Sequence, residues 1–164
     1  MTERTKPVSN NIDTRFSEAI KIRAVEPTDE TSWKKLYRGY AAFYKVPMDE
    51  DILKRTWAWL QDSTHLLEGL VAESGENVIG FAHYWPQPRP LQGQDAGFLD
   101  DLFVDPSYRG RGVGRLLIEA LSDIAHIRNW TMLSWVTAQD NVTARRLYDD
   151  VATAANWVTY ERVF

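Results

Sequence analysis

The amino-acid sequence predicts a mixed α/β domain with a mostly antiparallel sheet flanked by helices. Segments in which apolar and polar residues alternate predict strands, and apolar stripes at three- and four-residue spacing predict amphipathic helices. A strand that runs through a glycine-rich loop into a long helix predicts one parallel crossover. The chain has 164 residues, of which 44% are hydrophobic and 26% charged. These values are typical of one globular domain.

The first third of the chain predicts one strand and two helices. Residues 20–25 alternate as a half-buried strand does, and residues 27–29 indicate a turn and a helix start. The helix that follows carries an apolar and aromatic stripe, which consists of Trp33, Leu36, Tyr37, Tyr40, Phe43 and Tyr44. A second, short helix is expected to begin near Asp49, with Ile52, Leu53, Trp57 and Leu60 on one side.

The rest of the chain predicts further strands and two more helices. Residues 66–72 and 78–85 are expected to form a hairpin around a turn at residues 74–77. Prolines and a glycine then predict a loop that cannot pair, at Pro86, Pro88, Pro90 and Gly93. The expected order continues with a strand at 97–104, a long helix from Val113 to Ile124, a strand at 131–137, a helix at 141–151 and a closing strand at 157–163. The helix between the strands at 97–104 and 131–137 makes that pair parallel.

Composition and charge exclude several classes of function. The chain has no cysteine and three scattered histidines, so we expect no disulfide, no thiolate site and no metal centre. A net charge of −4 gives no reason to expect a nucleic-acid partner, because a phosphate backbone binds basic surfaces. No segment approaches the roughly 20 apolar residues that span a bilayer. We expect a cytoplasmic protein with its domain at residues 19–164 and a flexible leader at residues 1–18.

The sharpest local signal is a glycine-rich loop between a strand and a helix. Three glycines alternate with other residues at positions 110, 112 and 114, and three arginines surround them at 109, 111 and 115. Glycine backbones reach conformations that a Cβ forbids, so amide groups can converge on an anion at the helix N-terminus. The loop lacks the Gly-Lys-Ser/Thr ending of a Walker loop and the spacing of a dinucleotide fingerprint. It predicts a phosphate or pyrophosphate site, and the alternative is a glycine turn that only permits a tight connection.

A family resemblance follows from this loop and its flanks. The run Arg109-Gly110-Arg111-Gly112-Val113-Gly114 resembles the R/Q-x-x-G-x-G/A signature of the GNAT superfamily of N-acetyltransferases. Residues 99–106 before it, Leu116-Leu117 after it and residues 141–148 are similar to further family segments, and residues 39–44 resemble the Hpa-type histone and polyamine acetyltransferase branch. The resemblance covers the chain from about residue 20 onward. It departs from the family at Asn156-Trp157, where Gly-Phe is frequent; asparagine also tolerates the left-handed conformation.

The resemblance implies acetyl-CoA as cosubstrate, no metal, and a central parallel strand pair that splays apart to admit the pantetheine arm. Backbone groups of Leu102, Phe103 and Val104 would contact pantetheine and the thioester. The pyrophosphate would lie on the loop, which is formed by Arg109, Gly110, Arg111, Gly112, Val113, Gly114 and Arg115. Asn141 would contact CoA, although its role as a helix N-cap explains it equally well.

The resemblance also implies candidate catalytic residues. Tyr148 would protonate the departing thiolate, although the helical stripe around it is also compatible with a core position. A primary amine is mostly protonated near neutral pH, so a base is needed. Asp100 is the candidate because it shares a strand face with Leu102 and takes the place of an acidic residue in polyamine-acetylating relatives. The alternative for Asp100 is a structural ion pair.

The acceptor site is predicted less sharply than the cofactor site. The expected substrate-binding residues are Tyr37, Tyr40, Tyr44, His83, Trp85 and Asp101, since aromatic walls attract ammonium groups; the alternative is a core stripe. The expected acceptor is a small amine, a polyamine or a protein lysine. A homodimer is expected from the aromatic C-terminal residues. The alternative to an enzyme is a module that binds acyl-CoA as a sensor or scaffold without catalysis.

Overall fold

The fold is a five-stranded sheet with helices on both faces. A computed structural model describes residues 19–164; the predicted leader lies outside these residues. The strands are β1 (Ile20–Ala24), β2 (Glu68–Ser74), β3 (Asn77–Arg89), β4 (Gln94–Val104) and β5 (Leu133–Ser134). The helices are α1 (Glu30–Tyr44), α2 (Glu50–Gln61), α3 (Val113–Ile127) and α4 (Val142–Val151), with short 3₁₀ turns at Pro27–Asp29 and Pro106–Tyr108.

The strand order confirms the predicted mixed sheet. The strands lie side by side in the order β1-β2-β3-β4-β5. The first three neighbouring pairs are antiparallel, and β4 pairs with β5 in parallel. The α3 crossover between β4 and β5 produces the parallel pair, as the sequence predicts.

Two apolar clusters hold the helices on the two faces of the sheet. One face packs against α3 through residues that include Leu99, Leu117 and Leu121. The other face packs against α1 and α2, with Trp33 and Leu53 fully buried beside Phe81. The apolar stripes expected on these helices therefore face the sheet. No helix within residues 19–164 has both the length and the apolar character that crossing a bilayer requires.

The predicted unpaired loop is confirmed at Pro90 and Gly93, which lie in the turn between β3 and β4, but the prediction is wrong for Pro86 and Pro88. Strand β3 continues to Arg89, and Pro86 and Pro88 face Gly97 and Asp95 of β4. Beyond Tyr84 strand β2 has ended, so this part of β3 has a free edge. Because they occupy alternate positions, Pro86 and Pro88 lack an N–H on the same edge of β3. That edge is the free one, so the prolines remove no hydrogen bond from the sheet. They also prevent further strands from adding there.

The last two predicted strands differ most from the structure. The strand expected at residues 131–137 shortens to Leu133–Ser134, and the closing strand expected at residues 157–163 does not form. Residues after Val151 run without strand pairing, and the side chains of Trp157, Tyr160 and Phe164 are almost fully exposed. The parallel pair consequently lies at the edge of the described sheet. The segment has the β-branched and aromatic composition of a strand, but within the described chain nothing pairs with it.

Candidate active site

A cleft of about 910 Å³ lies at the point where β4 ends. Its walls come from the C-terminal end of α1, the last residues of β4, the glycine loop and the start of α4. The predicted site residues that line it are Tyr40, Tyr44, Leu102, Phe103, Val104, Arg109, Gly110, Gly112, Val113, Gly114, Arg115, Asn141 and Tyr148. The structure therefore brings together most of the predicted cofactor site and the candidate acid.

The cleft opens because β4 and β5 separate. They pair only at Gly97 with Leu133 and at Phe98 with Ser134. Gly97 permits this contact, since a Cβ there would lie 2.5 Å from the Trp130 ring. Strand β4 then continues for six residues, to Val104, without a recorded partner on the β5 side. The backbone of this stretch is available on that side to a ligand.

The glycine loop has the backbone geometry of an anion site. Gly110 and Gly112 have φ values of 74° and 80°, which residues with a Cβ rarely adopt. Gly112 is the N-cap of α3 and offers no side chain to the first turn, so the leading N–H groups of the helix point into the cleft uncapped. A Cβ on Gly114 would lie 3.2 Å from Leu147 of α4, which shows how closely the two helices pack.

The three loop arginines have different surroundings. The Arg109 Nε donates to the Val104 carbonyl at 3.1 Å, and its guanidinium lies 5.3 Å from the centre of the Phe103 ring. Arg111 donates to the Ser107 carbonyl at 2.9 Å and does not line the cleft as the other two do. Arg115 pairs with Asp150 of α4 at 2.9 Å. An anion that binds at the start of α3 therefore competes with Asp150 for Arg115.

Tyr148 lies in the cleft wall rather than in the closed core. It is half-buried, its ring packs 5.4 Å from that of Trp135, and its neighbours in the cleft include Tyr44. Burial, with a smaller contribution from Tyr44, raises the pKa of Tyr148 to about 12. The hydroxyl therefore keeps its proton at neutral pH, which is the state that a proton donor needs.

Asn141 is the N-cap of α4. Its side-chain oxygen accepts the Ala144 N–H at 3.3 Å, and its amide donates to the Thr137 hydroxyl at 3.2 Å. The structure thus accounts for asparagine at this position through the start of α4. Its predicted contact with CoA stays a prediction.

Asp100 occupies a β-bulge that strand alternation does not predict. His83 of β3 faces Asp101 and Tyr84 faces Leu99, so Asp100 is an extra residue without an opposite partner. Leu99 and Leu102, three residues apart, both pack in the cluster on the α3 face. The argument that assigned Asp100 to the face of Leu102 by alternation therefore fails, because the bulge resets the alternation.

The two neighbouring aspartates have different environments. The Asp100 residue is exposed as a whole. The pKa of its carboxyl group is raised by partial burial and by the charge of Asp101, while His83 has the opposite effect. Asp101 is half-buried. Burial alone would raise the pKa of Asp101, but hydrogen bonds from His83, Tyr40 and Tyr37 lower it below its usual range. For Asp100 the alternative of a structural ion pair does not apply within the described chain, since no lysine or arginine contacts it, whereas Asp101 lies 2.8 Å from His83 Nδ1.

The predicted acceptor residues separate into two groups. Tyr37, Tyr40 and His83 belong to a hydrogen-bonded cluster around Asp101, and His83 is 1% exposed. Burial and the charge of Asp101 raise the pKa values of both tyrosines, so their hydroxyls remain donors. Trp85 lies farther along β3, outside that cluster, and packs 5.3 Å from Phe98. Tyr44 contacts Tyr40, with ring centres 5.0 Å apart, and extends into the cleft.

Sequence reasoning missed two residues at this site. Trp33 donates its indole N–H to His83, and Asp150 holds Arg115. Trp33 shows only the helical spacing of a core residue, and Asp150 only that of an exposed helix face, so neither carries a signal in the sequence. Within the described residues no group of three or more histidines, aspartates or glutamates is arranged to hold a metal ion.

Comparisons with known proteins give relatives of the same kind. The chain is 35% identical over 149 residues to the D-amino-acid N-acetyltransferase HPA3 of Saccharomyces cerevisiae, covering 89% of this chain and 92% of that protein. It is 27% identical over 152 residues to a thialysine N-epsilon-acetyltransferase of Bos taurus, covering 84% and 89%.

Solved structures share the fold. A ribosomal-protein-alanine N-acetyltransferase from Brucella melitensis superposes with a TM-score of 0.76 at 29% identity, covering 89% of this chain and 99% of that one. An aminoglycoside N-acetyltransferase in complex with CoA gives a TM-score of 0.76 at 21% identity, covering 89% and 95%, which shows the fold alone.

The profile described as the Acetyltransferase (GNAT) family matches residues 32–151, which is well over half of the chain and includes the glycine loop and Tyr148. The resemblance in the sequence is thereby confirmed, and the chain belongs to the GNAT family of acetyltransferases.

Proposed function

We propose that this protein transfers the acetyl group of acetyl-CoA to a primary amine by direct attack, without a covalent enzyme intermediate. The observation that supports this most is the cleft, which joins the open edge of β4, the uncapped start of α3 and the Tyr148 hydroxyl in one space. A CoA thioester presents a diphosphate, an extended amide-containing arm and a leaving thiolate. The start of α3 suits the diphosphate, the open edge of β4 suits the arm, and the Tyr148 hydroxyl suits the thiolate.

The residues present fit acetyl-CoA. A diphosphate suits the positive φ values at Gly110 and Gly112 and the helix N-terminus that follows. Arg109 and Arg115, which line the cleft, add positive charge there, whereas Arg111 lies outside its lining. The backbone of Leu102, Phe103 and Val104 is open to the pantetheine arm. When bound there, acetyl-CoA supplies the acetyl group as a thioester.

Two side chains of this chain would move protons. Tyr148 is protonated at neutral pH and donates to the leaving sulfur. Asp100, exposed on the bulge and with a raised pKa, accepts a proton from the incoming ammonium through water. Of the two protons that nitrogen loses overall, one leaves through Asp100 to solvent. The other replaces the proton that Tyr148 has given to sulfur.

We propose a small amine as the acceptor, and amino acids first among small amines. Two of the relatives are a D-amino-acid N-acetyltransferase and a thialysine N-epsilon-acetyltransferase, and the negative charge of Asp100 and Asp101 favours an ammonium group. A polyamine or a protein lysine is the second choice. The protein is also proposed to act in the cytoplasm without a nucleic-acid or membrane partner.

We further propose a homodimer. The described C-terminal residues expose Trp157, Tyr160 and Phe164, while β5 leaves the edge of the sheet open. In a homodimer, the C-terminal segment of one chain would pair with the open sheet edge at β5 of the other chain. This pairing would cover the exposed aromatic side chains and the open edge together.

Acetyl transfer is tested by following free thiol release from acetyl-CoA with a panel of D- and L-amino acids, lysine analogues, polyamines and a lysine-containing peptide. We expect amine-dependent thiol release with at least one small amine. Saturable binding of acetyl-CoA without turnover on any amine would favour the sensor or scaffold instead. Absence of both binding and turnover would overturn the proposal.

A further inference from the structure

A chain of hydrogen bonds leads from the core of the α1 face to the bulge on β4. The Trp33 indole N–H donates to His83 Nε2 at 2.8 Å, and His83 Nδ1 lies 2.8 Å from Asp101 Oδ2. Trp33 is 0% and His83 1% exposed. The carboxylate at the end of this chain is the sequence neighbour of Asp100, the candidate base.

The first hydrogen bond fixes the tautomer of His83. Since the indole can only donate, Nε2 must accept, and the ring proton of the neutral imidazole is on Nδ1. His83 therefore donates to Asp101. The ring is held in place by contacts with Phe81, at 4.6 Å between centres, and with Tyr37, at 5.2 Å.

Asp101 receives donors from two elements. His83 comes from β3, while the Tyr37 and Tyr40 hydroxyls come from α1. Helix α2 contributes Thr56, which hydrogen-bonds to Tyr37. Three donors directed at one carboxylate stabilise its charged form and occupy its oxygens.

Asp100 has none of these donors. It protrudes on the bulge into solvent, and the titratable groups that face it are Asp101 on its own strand, His83 on β3 and Tyr37 on α1. An amine that approaches the bulge therefore meets one carboxylate with free oxygens and one whose oxygens are already bonded.

We propose that Trp33 and His83 are positioning residues that hold Asp101 as a permanently charged carboxylate beneath the bulge, so that Asp100 alone takes the proton from the acceptor amine. This rests on the proposed acetyltransferase function for its chemical meaning. The hydrogen-bonded arrangement itself can be tested without activity. Asp101 then serves as a fixed negative charge which, after partial burial, is the second cause that raises the pKa of Asp100.

Nitrogen NMR of the wild-type protein tests the first part directly. We expect the His83 signals of the Nδ1–H tautomer, with an unprotonated Nε2 coupled across the hydrogen bond to the Trp33 indole. In Trp33→Phe, which removes the N–H and keeps a ring, the signature of coupling across the Nε2 hydrogen bond should be lost, while Asp101 still accepts from Nδ1–H. Trp57→Phe is the matched control, because Trp57 packs 5.1 Å from Trp33 in the same cluster, and it should leave the signature unchanged. A protonated Nε2 in the wild type would overturn the proposal.

The pH dependence of kcat/KM tests the second part. Asp101→Asn removes the negative charge beside Asp100, so the loss of activity at acidic pH should begin at a lower pH than in the wild type. Asp100→Asn should remove that acidic transition together with most of the activity. An unchanged acidic transition in Asp101→Asn would contradict the role assigned to Asp101 while leaving acetyl transfer intact. A wild type that transfers acetyl to no amine would instead refute the proposed function, and the NMR result would still decide the hydrogen-bonded arrangement.

Discussion

At the scale of single residues, environment separates side chains of identical chemistry. Asp100 and Asp101 are adjacent, yet the bulge exposes one while three donors surround the other. The tyrosines divide in the same way: Tyr37 and Tyr40 donate to Asp101, and Tyr148 borders the cleft. Function is assigned to Asp100 because it is exposed on the bulge, and to Tyr148 because it lines the cleft.

Tyr148→Phe removes the proposed proton donor and keeps the ring that packs against Trp135. We expect kcat to fall on the order of 100-fold, since general acid catalysis contributes that much or more. The dissociation constant of acetyl-CoA, measured by calorimetry, should stay the same. Tyr160→Phe, which removes an exposed hydroxyl on the C-terminal segment, should leave kcat unchanged. Equal kcat values for wild type and Tyr148→Phe would exclude Tyr148 as the acid.

At the scale of elements, the site depends on where regular structure stops. The cleft exists because β5 ends after two residues while β4 continues, and because α3 begins at a glycine in the left-handed conformation. The loop before α3 is itself ordered, since the Asp105 side chain accepts the Ser107 N–H at 2.9 Å. The backbone geometry of the proposed anion site is therefore set by local features, which are this turn and the positive φ values of Gly110 and Gly112.

Gly112→Ala should weaken acetyl-CoA binding by about tenfold and lower the free energy of unfolding by roughly 1 kcal/mol, because a Cβ is strained at a φ of 80°. Gly93→Ala is the matched control. Gly93 has a φ of 61° with open space around it, on the hairpin between β3 and β4, so it should show a similar loss of stability and no loss of affinity. Calorimetric titration and urea unfolding give the two values. Equal affinity losses in both variants would contradict a binding role for the loop.

The elements also show how much the sequence can predict. Periodicity and capping residues predict the helices well: Asp49 caps α2 by accepting the Ile52 N–H at 2.8 Å, and the glycine loop lies where it is expected. The loop predicted at Pro86 and Pro88 does not form because proline prevents hydrogen bonding on only one edge of a strand. The sequence does not show which edge of β3 is free. The bulge at Asp100 and the Trp33–His83 hydrogen bond depend on register between distant segments, for which a single sequence holds no local signal.

At the scale of the whole molecule, the C-terminal segment is the unusual feature. Residues 157–163 have the composition of a strand but lie without strand partners in the described chain, and the edge strand β5 has only two residues. Large exposed side chains such as Trp157, at 87%, favour association over a solvated tail.

Trp157→Asp should convert a dimer into a monomer, because it places a charge in the segment that the second copy would cover. Leu91→Asp makes the same change at a side chain that is 97% exposed on the hairpin tip, and that variant should remain dimeric. Light scattering during size-exclusion chromatography measures the mass of each. A monomeric wild type, or a dimer that survives Trp157→Asp, would contradict this assembly.

Calorimetric titration of the wild-type protein with acetyl-CoA tests whether the cleft between β4, the glycine loop and α4 is a CoA site. We expect saturable binding of one acetyl-CoA per chain, with an affinity that falls as salt rises because part of it comes from arginines and a helix N-terminus. A titration without heat of binding at millimolar acetyl-CoA, in a protein shown to be folded, would contradict it.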